Sequence, residues 1–443
     1  MPAAAAPFEP PGGAAGSRAP ASLMPGAPFA GGEPLAGGEP LAPGPSAPSL
    51  PPLRLKRGED RRLRAGHLWV FSNEVDNEAT PLLDLPVGAM VRVLSDREQF
   101  LGYAYVNPHT LICARILSRS AAHPPDRSLL AHRMRVALAL RERLYRAPYY
   151  RWVFGESDGL PGLVLDRYGE TVVGQIATAG MEALRTEIEA AVAEVAAPRV
   201  LVWKNDGNAR DLEQLPRQLL TPIGRLPEEL QVLEGGLTFS LPLAIAQKTG
   251  WFYDQSGNRE QWRRLVTPGT RVLDVCSYAG GWAITALTRG AREALCVDAS
   301  EAALAVARRN AAANGVSAGT EQGDAFDVLD ELVRRGERFD AIVLDPPAFI
   351  KRKKDIARGQ AAYRKLNQIA MRLLERDALL VSCSCSYHLA AEELLGLIQG
   401  AARHTGRFVQ VLYSGGQSPD HPVHPAIPET RYLKAFFCRV TRE

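Results

Sequence analysis

Cysteine is scarce. The 443 residues hold six, Cys113, Cys276, Cys296, Cys383, Cys385 and Cys438, scattered without framework spacing. That distribution excludes a disulfide scaffold and points to reduced thiols, as in a cytoplasm. No CxxC pair occurs, which excludes a zinc ribbon, and no metal site is expected. Excess charge of one sign is also small, +3, so the overall balance does not itself specify a nucleic-acid partner. No apolar run reaches the roughly 18 uncharged residues that a membrane-spanning helix needs. The N-terminal stretch lacks a basic region followed by an unbroken apolar core, because Pro2, Pro7, Pro10 and Pro11 interrupt it. Neither membrane insertion nor secretion is therefore expected, and the location expected is cytoplasmic.

What is present is a 46% hydrophobic chain long enough for about two to four domains. Residues 1–52 are Ala, Pro and Gly with few charges and an imperfect repeat, GGEPLAGGEPLA. This composition cannot offset the entropy of ordering, so disorder is expected. From 53 to 122, short β-rich runs (LWVF, AMVRVL, FLGYAYV, LICARIL) broken by turn residues predict a small barrel. From 123 to 228, an Arg-studded helix and the alternating stretch LVLDRYGETVVGQIA predict a central α+β domain. From 229 to 443, RVLDV, ALCVD, DAIVLD and ALLVSC alternate with helical spacers, the pattern of a doubly wound parallel sheet. The fold class is α/β, and ligands in such sheets bind at the carboxyl ends of the strands, where three of these runs finish in Asp or Cys and RVLDV leads into Cys276.

RVLDVCSYAGGWAITAL (271–287) reads as strand, glycine turn and helix. Gly280 and Gly281 suit close approach to a ligand, and equally a plain tight connection. Asp298 follows Gly280 by 18 residues, at the end of the next strand, where a carboxylate can accept both hydroxyls of a ribose. Asp324, in GDAF, is placed to accept from an adenine amino group. Each aspartate is also placed for a helix N-cap. DPPAF (345–349) sets Asp345 and a rigid Pro-Pro turn beside the same pocket.

In order, DVCSYAGG, VDAS, GDAF, DPPAF and SCS resemble the class I S-adenosylmethionine-dependent methyltransferases. QKTGWFYDQSGNR (247–259), GESDGLPGLVLDRYG (155–169), LRAGHLWVF (63–71) and DHPVHPAIPETRYLK (420–434) narrow the resemblance. Together they are similar to the bacterial large-subunit ribosomal RNA cytosine-5 methyltransferases with an N-terminal PUA domain. The resemblance implies a PUA-like barrel, a central domain and a Rossmann-like methyltransferase domain. It implies S-adenosylmethionine held by Asp274, Cys276, Tyr278, Gly280, Asp298, Asp324 and Ala325. It also implies large-subunit ribosomal RNA as the partner, without a membrane, and leaves a homodimer among the open assembly states. Ser256 departs from the family's usual Asp-Gln-Arg, while Arg259 is retained.

Carbon 5 of cytosine is a poor nucleophile until a thiolate adds to carbon 6, so the implied chemistry needs a cysteine beside the methyl donor. Within ALLVSCSCSYHL, Cys385 of the terminal SCS is expected beyond the strand and Cys383 within the core. Asp345 would hydrogen-bond the ring near nitrogen 3. DPPAF carries no second cysteine, which leaves the group that assists elimination unassigned. For the RNA, the basic run LRLKRGEDRRLR with Arg64, His67 and Trp69, and Lys351 of KRKK, are the expected contacts; Trp69 and Phe71 also suit a barrel core. Methylation of a base nitrogen and an RNA-binding assembly factor without catalysis are the alternatives. A small-molecule methyltransferase would leave the two preceding domains without a task.

Overall fold

The computed structural model describes residues 50–442. The expected disordered tail lies outside the described residues up to residue 49, and Pro52, at its expected end, already opens a strand.

Five strands, β1 (Pro52–Arg54), β2 (Trp69–Phe71), β3 (Met90–Leu94), β4 (Phe100–Val106) and β5 (Ile112–Ser118), with the short helix α1 (Arg61–Arg64), form the first layer. Their order is β1-β3-β4-β5-β2. The sheet curls because Lys56 N donates to Glu74 O and Asp76 N to Arg54 O, both at 2.9 Å, tying its two ends together. Alternation buries Val91 and Val93 of β3 with Leu53, Val70, Ala114 and Ile116, as a half-covered strand requires.

The central domain has α2 (Arg127–Leu144), β6 (Tyr149–Phe154), β7 (Leu163–Tyr168), β8 (Thr171–Ile176), α3 (Ala179–Ala183), α4 (Arg185–Ala196), β9 (Val200–Asn205), α5 (Ala209–Leu212) and β10 (Gln218–Ile223). Its sheet runs β10-β9-β8-β7-β6. Met134 and Ala137 of α2 bury against Trp152 and Trp203. The barrel is fixed to this domain by buried groups: Tyr105 donates to Pro161 O (2.8 Å) and Asn107 Nδ2 to Glu213 Oε2 (2.7 Å). A Cβ at position 180 would lie 1.9 Å from Cγ of Tyr105, so glycine alone lets α3 approach the ring.

A hairpin, β11 (Glu229–Glu234) and β12 (Leu237–Pro242), follows. It packs with Tyr168, Val173 and Val202 of the central sheet rather than joining the next one. Then come α6 (Ser256–Leu265), β13 (Arg271–Val275), α7 (Gly281–Thr288), β14 (Glu293–Asp298), α8 (Glu301–Ala313), β15 (Gly319–Gln322) and α9 (Ala325–Arg334). The chain continues through β16 (Phe339–Leu344), α10 (Ile356–Leu373), β17 (Leu374–Ser384), α11 (Ala391–His404), β18 (Arg407–Gly415) and β19 (Lys434–Arg442). The seven strands lie in the order β15-β14-β13-β16-β17-β19-β18, parallel through β17, with β19 antiparallel to both neighbours. Both faces of β13 and β16 are covered, which is why their sequences are apolar runs rather than alternations. The order reverses between β13 and β16, so a crevice opens there at the strands' carboxyl ends.

Residues 416–433, joining β18 to β19, return as a strap across the other domains. Asp420 O accepts from Arg141 Nη2 (2.7 Å), Asp420 Oδ2 accepts from Arg151 N (2.8 Å), and Ile427 is buried in the barrel core.

Candidate functional site

The crevice is a cavity of 630 Å³ whose wall includes Asp298, Asp324, Asp345, Cys385, Lys248 and Asp254. The β13–α7 turn that forms one side is strained in a regular way: Cys276 (φ +62°), Tyr278 (φ +48°) and Gly280 (φ +82°) are all left-handed. Non-glycine residues adopt that region rarely and at a cost, typically where a site requires it. Here the turn brings Cys276 and Tyr278 into the wall. Tyr278 N donates to Asp298 Oδ2 (2.9 Å), and Ser300 N donates to Oδ1 (2.9 Å), which fixes the Asp298 carboxylate at the end of β14. Asp324 caps α9, with Oδ1 accepting from Phe326 N (2.9 Å), and still borders the cavity together with Ala325. The N-cap and ligand readings of Asp324 are therefore compatible.

Two expected cofactor residues sit behind the wall instead. Gly280 packs on α8, where a Cβ would come within 3.1 Å of Ala307; Gly281 lines the cavity in its place. Asp274 is fully buried and accepts from Ala283 N (3.0 Å), bracing β13 against α7. Burial pushes its carboxyl up to about 7, opposed by the Ala283 amide and assisted by Asp345 and Asp298.

At the other end, Asp345 Oδ1 accepts from Gln255 Nε2 (2.8 Å) and Oδ2 from Trp282 Nε1 (3.1 Å). Burial raises this carboxyl to about 6 in spite of both donors. Cys383, 1% exposed, packs with Trp282 and Phe437, whereas Cys385 is the first residue past β17 and reaches the cavity. The flanking serines explain its presentation. Ser384 Oγ bonds the Tyr363 hydroxyl at 2.9 Å and Ser386 Oγ bonds the same hydroxyl at 3.0 Å, clamping the backbone on both sides of Cys385. Lys434 Nζ donates to Ser386 O (2.5 Å) and Tyr432 O (2.9 Å), and burial pulls its ammonium down to about 8. The Cys385 thiol is pushed up by burial and by Asp345, with Lys248 opposing.

The expected RNA contacts divide. Arg64 is exposed, bonded to Asp60 (2.6 Å) and Gln99 (2.6 Å), and Lys351 is exposed just beyond the cavity-lining loop that ends at Phe349. His67 is buried: its Nδ1 accepts from Trp69 N (3.0 Å), and burial, with Arg62 alongside, lowers its pKa. Trp69 is half-buried, with Nε1 donating to Glu156 Oε1 (2.9 Å) of the central domain. Trp69 therefore joins the barrel to the central domain, and His67 is held within the barrel by Trp69 and Arg62, so neither offers an open stacking platform.

Gln255, Trp282, Lys248, Asp254 and Tyr432 border or brace this site without having been singled out from the sequence. The signal was available in QKTGWFYDQ, where Lys248, Asp254 and Gln255 flank an aromatic run. Ser256, standing where the usual Asp-Gln-Arg has its arginine, bonds Ser418 of the strap (3.0 Å), while Arg259 pairs with Glu234 of β11 (2.5 and 2.8 Å).

A nucleoside-bearing cofactor fits this wall. One end has two anchored carboxylates, Gly281 gives a glycine edge, and Lys248 offers a cationic group. Comparison with known proteins agrees. Residues 53–119 match the PUA-like domain family and residues 221–436 the S-adenosylmethionine-dependent methyltransferase family. Ribosomal RNA large subunit methyltransferase I of Erwinia tasmaniensis is 33% identical over 401 residues, covering 88% of this chain and 99% of that protein. The protein of the same name from Salmonella arizonae is 32% identical over 403 residues, 89% and 98% of the two chains. In fold, the chain is similar to SMU.776, a candidate methyltransferase complexed with SAH, with a TM-score of 0.76, 21% identity and coverage of 88% and 100%. Its cofactor is S-adenosylmethionine, and the chain belongs to the ribosomal RNA large subunit methyltransferase I family, uniting a PUA-like domain with a Rossmann-like methyltransferase domain.

Proposed function

We propose that this protein methylates carbon 5 of a cytidine in large-subunit ribosomal RNA, with Cys385 adding to carbon 6 of the base. The observation that carries the reading is the presentation of Cys385 into the cavity by the Ser384–Tyr363–Ser386 clamp, beside Asp345. When bound, S-adenosylmethionine supplies an electrophilic methyl group. Asp298 and Asp324 would hold its adenosine, with Cys276, Tyr278 and Ala325 around them.

The chain's own residues account for the rest. A thiolate at Cys385 forms the bond to carbon 6, and negative charge then develops over carbon 5 and nitrogen 3. A carboxyl that keeps its proton to about pH 6 can donate at nitrogen 3, where stabilisation of that charge has its greatest value. Gln255 and Trp282 orient it. To reach the thiol, the cytosine must be unpaired or flipped from its helix. Lys351 at the rim and Arg64 on the barrel supply positive charge for nearby phosphates. An RNA substrate of this kind places the protein in the cytoplasm.

Nitrogen methylation would use the Asp345-Pro-Pro loop to orient an amino group and leave the clamped thiol without a task. Nucleoside mapping by mass spectrometry of large-subunit RNA from cells with and without the protein separates the two. Loss of one 5-methylcytidine is expected; loss of an N-methylated base would contradict the proposal.

A further inference from the structure

The geometry points to Asp254 as the base that takes the proton from carbon 5 once that carbon carries its methyl group; this assignment rests on the Cys385 addition proposed above. After addition, carbon 5 bears both a hydrogen and a methyl group, and the product forms only when the hydrogen leaves as a proton. The DPPAF loop contains no thiol to receive it. Asp345 is poorly suited, because both its oxygens already accept hydrogen bonds and its task at nitrogen 3 is to donate.

Asp254 borders the same cavity, 7% exposed, and its two oxygens differ. Oδ2 accepts from the Tyr432 hydroxyl at 2.6 Å, while Oδ1 is buried with no hydrogen-bond partner among the described residues. Oδ1 thus has a lone pair not engaged by any donor among the described residues, as a proton acceptor requires. The surroundings keep it ionised. Burial would raise its pKa, but His421, Lys248 and the Tyr432 hydroxyl outweigh burial and hold it below the usual range. His421 is itself fixed by Asp420 of the strap at 2.8 Å. Asp345 and Asp254 thus share one cavity with their proton affinities driven in opposite directions, the arrangement that separates an acid from a base.

The step balances. Asp254 Oδ1 takes the carbon 5 proton, and the electrons of that C–H bond become the double bond between carbons 5 and 6. The electron pair of the carbon 6–sulfur bond returns to Cys385 as thiolate. The proton on Asp254 then passes to solvent.

The test compares Asp254→Asn with wild type on two RNAs, using methyl-labelled S-adenosylmethionine. On RNA carrying 5-fluorocytidine at the target no proton needs removal, so both proteins should form a denaturation-resistant adduct. On ordinary RNA the variant alone should accumulate a protein–RNA complex bearing the labelled methyl group. Its release of tritium from [5-³H]cytidine RNA should fall roughly 100-fold or more. Melting temperature and cofactor affinity serve as controls. Tritium release at the wild-type rate would overturn the assignment. So would loss of the fluorocytidine adduct in the variant, whether with cofactor binding retained, which would make Asp254 a recognition group, or with folding lost, which would make it structural. Absence of the adduct in wild type would instead remove the underlying cysteine mechanism.

Discussion

Gln255 donates its amide N–H to Asp345 across 2.8 Å, joining the loop before α6 to the end of β16 at the centre of the cavity. The bond favours the ionised carboxylate and so restrains the upward push of burial. Gln255→Leu should therefore move the acid limb of kcat/KM, expected near pH 6 for wild type, to higher pH. Below that limb the Cys385–Asp345 pair holds two protons and addition lacks its thiolate; above it the pair holds one, which leaves a thiolate when the proton resides on Asp345. A pH–rate profile of the free enzyme checks this, and an unmoved limb would assign it to another group.

Asp298 is held by two backbone amides, so its orientation does not depend on a ligand. Asp298→Ala should weaken S-adenosylmethionine binding by about 2 kcal/mol, roughly 30-fold in Kd. Calorimetry without RNA measures it directly, and unchanged affinity would remove Asp298 from the cofactor site.

Asp274 yields a stability prediction with a definite sign. Its carboxyl is raised to about 7 in the folded protein, above its unfolded value. A raised carboxyl contributes stability that is fully present below the unfolded pKa and lost as pH rises through the folded one. Between about pH 4 and pH 8 the loss is on the order of 4 kcal/mol. Asp274→Asn keeps an acceptor for Ala283 N without the titration. Its melting temperature relative to wild type should climb over that window; a constant difference would show that Asp274 does not titrate there.

Lys351 is exposed beside the cavity loop and touches no part of the cofactor wall. Lys351→Ala should weaken RNA binding, reduce the salt dependence by about one phosphate contact and leave cofactor affinity unchanged. Binding isotherms at several salt concentrations test this. An unaltered slope would exclude a phosphate contact.

Much of this architecture is legible in sequence because strands covered on both faces announce themselves as apolar runs, and β13, β14, β16 and β17 do so. Cys385 and Asp345 are legible because they end such strands. The strap is not: Asp420 and Ile427 act on residues more than 250 positions away in sequence, and no local pattern encodes that return. Trp69 illustrates the same limit. Its parity suits a core and its company of basic residues suits RNA, while its actual partner, Glu156, lies in another domain. The left-handed backbone at Cys276 and Tyr278, both expected cofactor residues, also escapes a local reading, since only the packed turn forces side chains into a region normally left to glycine.

The choice between the two cysteines is the most direct test of the mechanism. Cys383 is sealed beneath Trp282 and Phe437, and Cys385 stands past the strand in the serine clamp. With RNA carrying 5-fluorocytidine at the target and S-adenosylmethionine present, wild type and Cys383→Ala should both shift on a denaturing gel. Cys385→Ala should give no shift, yet bind RNA and cofactor as wild type does. An adduct that survives in Cys385→Ala, or one abolished by Cys383→Ala alone, would contradict the account.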